Sequence, residues 1–199
     1  MRLEDAKKDH YRKLAKEQGY RSRSAFKLIE LNKKYNLIKS NDNILDFGAA
    51  PGGWLQVASK LVMPKGKVIG VDLLPIEPIG ENVTIFQGDI RDEKVVDDIL
   101  NKAGRKVDVI LSDMAPNISG IWKIDHNNQI DLTRLIINRF PELLEENGQC
   151  LLKAFDGPML KPLENELRKN FTNVKLIKPK VSRNASSELY IACRSFRQE

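Results

Sequence analysis

The stretch from Ile44 to Leu61 constrains the fold more than any other part of the chain. A short apolar run, Ile44 to Phe47, breaks into the glycine-rich loop GAAPGG from Gly48 to Gly53 and reopens as a helix-like segment from Trp54. Strand, glycine loop and helix in that order make the opening unit of a parallel sheet. The pattern recurs. Strands are predicted at 67–71, 83–87, 107–112 and 149–154, separated by helical stretches near 92–101 and 127–145. Such alternation predicts a mostly parallel sheet covered by helices on both faces. A helix near 159–169 and two β-rich runs, 173–178 and 188–194, finish the chain, the last two as an antiparallel pair at the sheet edge. The 199 residues, 41% of them hydrophobic, suffice for one full core, and one domain over 1–199 is expected. Within it, 1–35 reads as a basic helical extension, and 36–199 as the core.

Lys and Arg number 33 against 27 Asp and Glu, a formal charge of +6, which favours a polyanionic partner but also serves plain solubility. The basic residues Lys7, Lys8, Arg12, Lys13, Lys16, Arg21, Arg23 and Lys27, interleaved with Tyr11 and Tyr20, can follow a phosphate backbone and stack bases. Lys161, Lys178, Lys180 and Arg183 add a second basic group. The ordinary alternative for the first set is a solvated charged helix. Cys150 and Cys193 lie in apolar runs with no CxxC or Cys/His spacing, so neither a zinc site nor a disulfide framework is indicated. The first residues are too polar for a signal peptide, and no run reaches the roughly 18 to 20 apolar residues of a membrane span. A cytoplasmic protein without membrane attachment is expected.

In a sheet of this kind, ligands bind beyond the carboxyl ends of the strands, so the residues after each strand carry the functional reading. The loop at Gly48 lacks the GxGxxG spacing that seats a pyrophosphate on a helix N-terminus, which favours a ligand without one. Asp72 ends the next strand, 24 residues after Gly48, where a carboxylate can accept from both ribose hydroxyls of an adenosine. Asp89 follows the third strand, placed to accept from an adenine amino group. Each of these can also be an ordinary helix N-cap. S-adenosylmethionine suits the series, since its adenosine needs such acceptors and its cationic groups favour anionic surroundings. No metal is required, because the sulfonium is already an activated leaving group.

Asp113 follows the fourth strand and Lys153 closes the fifth, and partly desolvated charges at such points need partners or a function. Lys27 and Glu188 join them by pattern. Here the chain resembles the FtsJ/RrmJ (RlmE-type) ribosomal RNA 2′-O-ribose methyltransferases, an archaeal-type member being expected. The resemblance rests on RSRSAFKL, DFGAAPGGW, VDLLP, GDIRD, SDMAPNISG, LLKAF and SSELY, in that order, from about Tyr20 to about Ile191. It implies a Rossmann-like methyltransferase fold with a seven-stranded, mostly parallel sheet and an antiparallel edge strand. It implies a catalytic tetrad of Lys27, Asp113, Lys153 and Glu188. It also implies contacts to S-adenosylmethionine from Gly52, Trp54, Asp72, Asp89 and Asp113.

The activity so implied is methylation of a uridine ribose in the A-loop of 23S ribosomal RNA. The implied partner is the large ribosomal subunit, with the chain acting as a monomer. The alternatives are 2′-O-methylation of transfer RNA or another RNA, and a noncatalytic RNA-binding assembly factor. The chemistry of the four residues agrees with the resemblance, because a ribose hydroxyl is a poor nucleophile that benefits from a base or from groups orienting its lone pair. Burial and a neighbouring cation disfavour an ammonium in such a place, whereas neighbouring carboxylates favour it. Lys153 therefore reads either as a general base or as a cation that steers the 2′-oxygen while the proton leaves late.

Overall fold

The computed structural model describes residues 3–181 and 186–198, with side chains from His10 onward. Two helices, α1 (Leu3–Glu17) and α2 (Ala25–Tyr35), precede the first strand, β1 (Ile44–Phe47). The glycine loop then leads into α3 (Gly53–Leu61), followed by β2 (Val68–Asp72), β3 (Val83–Gln87), α4 (Glu93–Ala103) and β4 (Val107–Ser112). The second half runs through α5 (Trp122–Ile137), a single turn α6 (Phe140–Leu143) and β5 (Leu144–Phe155). It ends with α7 (Leu160–Asn170), β6 (Phe171–Ile177) and β7 (Glu188–Phe196).

The seven strands form one sheet in the order β3-β2-β1-β4-β5-β7-β6. All four residues of β1 are buried, as expected for a strand covered on both faces. Strand order reverses between β1 and β4, and the carboxyl ends of these two neighbours open the crevice in which such sheets hold ligands. The glycine loop after β1 and Asp113 after β4 therefore stand side by side.

The pair predicted at the sheet edge is present, and its arrangement matters for the site. β7 runs antiparallel to both β5 and β6 and lies between them. A reversed strand brings its first residue, not its last, to the carboxyl rim. Phe155 at the end of β5 is thus in register with Glu188 at the start of β7, and Lys153 with Tyr190.

The helix expected over 127–145 is shorter and earlier. α5 spans Trp122–Ile137, and a separate turn carries Pro141 near its start, where a missing N–H costs nothing. Pro141 has no N–H to bond the Ile137 carbonyl four residues back and its ring crowds that carbonyl, which explains why α5 stops at Ile137. β5 correspondingly begins at Leu144, with a register shift against β4 between Val107 and Val109 and a left-handed Asn147 absorbing the excursion.

One apolar cluster packs α4, α5 and α7 on one face, and a second packs α2 and α3 on the other. Phe140, Phe171 and Phe196 pack ring to ring at 5.3–5.9 Å between centroids, tying α6 to the two last strands. This aromatic group anchors the edge strand β6 and the far end of β7, the strand that begins with Glu188. Phe171→Ala is expected to lower unfolding free energy by about 3–5 kcal/mol in urea titrations. A loss below about 1 kcal/mol would mean that the edge is held by other contacts.

Candidate active site

A cavity of about 760 Å³ opens at the carboxyl rim, lined among others by Gly48, Asp72, Leu74, Asp89, Asp113 and Met114. Gly48 has a φ of +73°, and a Cβ there would fall 2.4 Å from the Met114 side chain and 3.0 Å from its backbone. Only glycine admits this close approach of the first loop to the segment after β4. Asp72 links two loops: one carboxylate oxygen accepts from the Ala50 N–H and the other from the Leu74 N–H, each at 2.9 Å. Asp89 is engaged by Arg91 through its backbone N–H and its guanidinium, and these bonds hold its carboxyl below the usual range. The predicted acceptors Asp72, Asp89 and Asp113 all reach the cavity.

Gly52 and Trp54, expected at the cofactor, are not part of the cavity wall. Gly52 caps α3 in a left-handed conformation with φ +104° and lies against Ile79 and Arg21. The Trp54 indole is buried, donates to the Ser24 carbonyl at 2.9 Å, and packs on the Tyr190 ring with centroids 5.7 Å apart. Its size and apolarity place it in the core, behind the charged residues.

The four charged residues predicted to act together meet at the rim. Lys153 Nζ donates to a carboxylate oxygen of Asp113 at 2.7 Å and to the Asp113 carbonyl at 2.7 Å. Lys27 Nζ, carried on the buried face of α2, pairs with Glu188 Oε1. Tyr190, fully buried, joins the two pairs. Its hydroxyl lies 2.6 Å from Asp113 Oδ1 and 3.3 Å from Glu188 Oε1, with Lys27 Nζ 3.4 Å away. A tyrosine has one proton to donate, so it donates to Asp113, the nearer oxygen, and accepts from Lys27. Burial and the two carboxylates push its pKa well above the usual tyrosine value, which keeps that proton in place.

Tyr190 was not among the predicted site residues. Nothing separates it from other aromatics of a β-run until register sets it opposite Lys153. Gln129 and Thr133 escape notice for a similar reason. Ladder pairing between β4 and β5 ends at Ser112 and Leu152, and the next carbonyl, that of Lys153, accepts instead from Gln129 Nε2 at 3.2 Å and Thr133 Oγ1 at 3.1 Å. Both are buried polar residues four apart on α5, which is the one signal that could have marked them.

The expected basic surface is only partly present as such. Arg21 donates to the carbonyls of Glu77 and Pro78 at 2.5 and 2.7 Å, and so ties the loop after β2 to the helix pair. Tyr11 and Tyr20 pack on Phe26, each with centroids 5.6 Å apart, and Lys161 pairs with Glu164. Arg12, Lys13 and Lys16 remain exposed along α1. The side chains of Lys7 and Lys8, and Arg183 as a whole, lie outside the described residues.

Beneath the rim, Asp46 on β1 is fully buried, and neither of its carboxylate oxygens has a hydrogen-bond partner among the described residues. Burial raises its pKa well above the usual range, and the charges of Asp113 and Asp72 raise it further. Above it, Asp72, Asp89 and Asp131 outnumber Arg91 in the cavity wall, which fits a cationic ligand such as a sulfonium.

The raised value has a consequence for stability. Without a ligand, the folded protein keeps a proton on Asp46 that the unfolded chain sheds near its ordinary value of 3.8. Stability from this group is therefore full below that pH and lost progressively as pH rises toward the raised folded value. Asp46→Asn removes the dependence. Urea midpoints of the ligand-free protein from about pH 4 to about pH 8 are expected to favour the variant increasingly as pH rises. A difference that stays flat or shrinks with pH would show that Asp46 is ionised in the fold.

Residues 20–196 match the family model described as FtsJ-like methyltransferase. A protein of Nitrosopumilus maritimus named ribosomal RNA large subunit methyltransferase E is 46% identical, over 98% of this chain and 99% of that protein. One of the same name from Methanothermobacter thermautotrophicus is 45% identical over 97% of this chain and 92% of its own. Among solved structures, a ribosomal RNA methyltransferase from Plasmodium falciparum superposes with a TM-score of 0.83 at 34% identity, covering 90% of this chain and all of that one. The glycine loop, the aspartates at the rim and the linked charges thus stand in a chain that belongs to the FtsJ-like methyltransferase family.

Proposed function

We propose that this protein transfers a methyl group from S-adenosylmethionine to a ribose 2′-hydroxyl of large-subunit ribosomal RNA, at a uridine. The observation that carries this reading is the Lys153–Asp113 pair at the edge of a cavity that also presents Asp72. Similarity to chains named ribosomal RNA large subunit methyltransferase E supports the choice of RNA. Asp72 would hold the ribose hydroxyls of the cofactor, Asp89 the adenine side, and the Gly48 loop the methionine end. When bound, the cofactor supplies a methyl group already activated on a sulfonium.

The chain's own residues then have an alignment task. Lys153 uses two of its ammonium hydrogens on Asp113, which leaves the third for the incoming 2′-oxygen. That supports Lys153 as the group that turns a lone pair toward the methyl carbon. A base in this place would have to give up its proton while paired to a carboxylate. The second pair, Lys27 with Glu188, fixes Tyr190 and through it the orientation of Asp113. Exposed Arg12, Lys13 and Lys16 supply a place for the RNA backbone.

The test is incubation with methyl-labelled S-adenosylmethionine and, separately, unmodified large ribosomal subunits, naked ribosomal RNA and transfer RNA. Nucleoside analysis follows. Label is expected in 2′-O-methyluridine from ribosomal RNA; label in transfer RNA or in a methylated base would overturn the substrate assignment. Lys153→Ala is expected to lower turnover by about 10²- to 10⁴-fold while leaving cofactor affinity nearly unchanged.

A further inference from the structure

Among the described residues, Trp122 is the largest exposed hydrophobic side chain, with 46% of its surface open. It begins α5, at the end of the loop that starts with Asp113. Its ring stacks on Phe155 with centroids 5.9 Å apart and on His126 at 5.7 Å. Both supports are buried. His126 Nε2 accepts from the Met159 N–H at 3.0 Å, and a Cβ at Gly157 would come within 2.9 Å of the imidazole, so the ring beneath Trp122 is wedged in place. The loop is fixed too. Asp125 accepts from the Ser119 N–H and hydroxyl at 2.7 Å and from the Gly120 N–H at 3.2 Å.

An aromatic ring held rigidly and left half open is costly to solvate unless something covers it. Its place in the fold identifies the cover. Phe155 lies two residues beyond Lys153, about 7 Å along β5, and directly opposite Glu188. A ribose whose 2′-oxygen sits at Lys153 carries its base within a comparable distance, so a base must lie near this end of β5. Nothing in the catalytic group itself offers that base a surface.

We propose that Trp122 is the platform on which an unpaired nucleobase, within one nucleotide of the methylated ribose, stacks. Aromatic stacking suits single-stranded RNA because every base has a π-face, and a splayed base is how unpaired RNA is usually read. Ile118, Ile121 and Ile124, close to Trp122 in sequence, are exposed apolar side chains as well. Trp122 is thereby a substrate-positioning residue, with no part in proton or methyl transfer.

This inference rests on the ribose-methylation reading, and the experiment separates the two. Trp122→Ala and Trp122→Leu are compared with wild type on naked ribosomal RNA and on assembled subunits. Leucine still covers Phe155 and His126 but cannot stack. Both variants are expected to raise the KM for RNA by about ten- to a hundredfold, with kcat and cofactor affinity little changed, whereas Trp122→Phe recovers most of the loss.

Fluorescence gives an independent reading, because the other tryptophan, Trp54, is buried. A ribosomal RNA fragment is expected to quench emission in wild type and in Lys153→Ala, and not in Trp122→Phe. Unchanged KM in Trp122→Leu, or equal quenching in Trp122→Phe, would overturn the platform. A loss seen on assembled subunits but not on naked RNA would do so as well, by assigning the patch to a ribosomal protein. If wild type methylates no ribose at all, the functional reading fails, whereas quenching in Lys153→Ala still reports on the stack.

Discussion

The site depends on a largely buried line of linked groups that runs Lys153, Asp113, Tyr190, Glu188, Lys27, two ion pairs joined by a neutral hydroxyl. Removing four charged groups from water costs far more than a fold of this size can spare unless each finds a partner of good geometry. Here two lysines meet two carboxylates, and one tyrosine hydroxyl satisfies the gap between the pairs. The arrangement requires three strand ends and a helix to converge. β4 supplies Asp113 as it ends, β5 supplies Lys153 just before it ends, α2 supplies Lys27, and β7 supplies Glu188 as it begins. Only a reversed strand can deliver its first residue to the rim where the others finish, so the direction of β7 and the composition of the site are one fact.

The two halves of the crevice differ in electrostatic character. The linked residues sum to no net charge. The cavity beside them is acidic on balance, with Asp72, Asp89 and Asp131 in its wall against Arg91, which pairs with Asp89. Such a field favours a cationic donor and disfavours its neutral product, which helps a methyl donor bind and its spent form leave. Asp46 lies beneath this wall, and burial together with the charges of Asp113 and Asp72 raises its pKa well above the usual carboxylate range.

Much of this was legible in the sequence because the chemistry is punctuated. Gly48, Asp72, Asp89 and Asp113 each follow an apolar run, and a polar residue after a strand is conspicuous whatever the strand pairs with. Lys153 stands out for the same reason. Residues whose roles depend on register or packing were not legible. Tyr190 looks like any aromatic in a β-run, and Trp54, expected at the cofactor by resemblance, turns its indole into the core against Tyr190. Arg21 counts as a phosphate-binding residue by charge, yet its guanidinium closes the loop at Glu77 and Pro78. The helix expected over 127–145 missed the stop at Ile137, where the absent Pro141 N–H and its ring override the apolar pattern.

The central claim is that the two ion pairs act as one unit through Tyr190. A double-mutant cycle tests it directly: turnover is measured for Lys153→Ala, Glu188→Ala and the combined variant under saturating RNA and cofactor. A single unit predicts that the combined variant is scarcely slower than Lys153→Ala alone, since breaking either end already disorders the other. Losses that multiply would contradict it, and would make the pairs two independent contributions that share a rim.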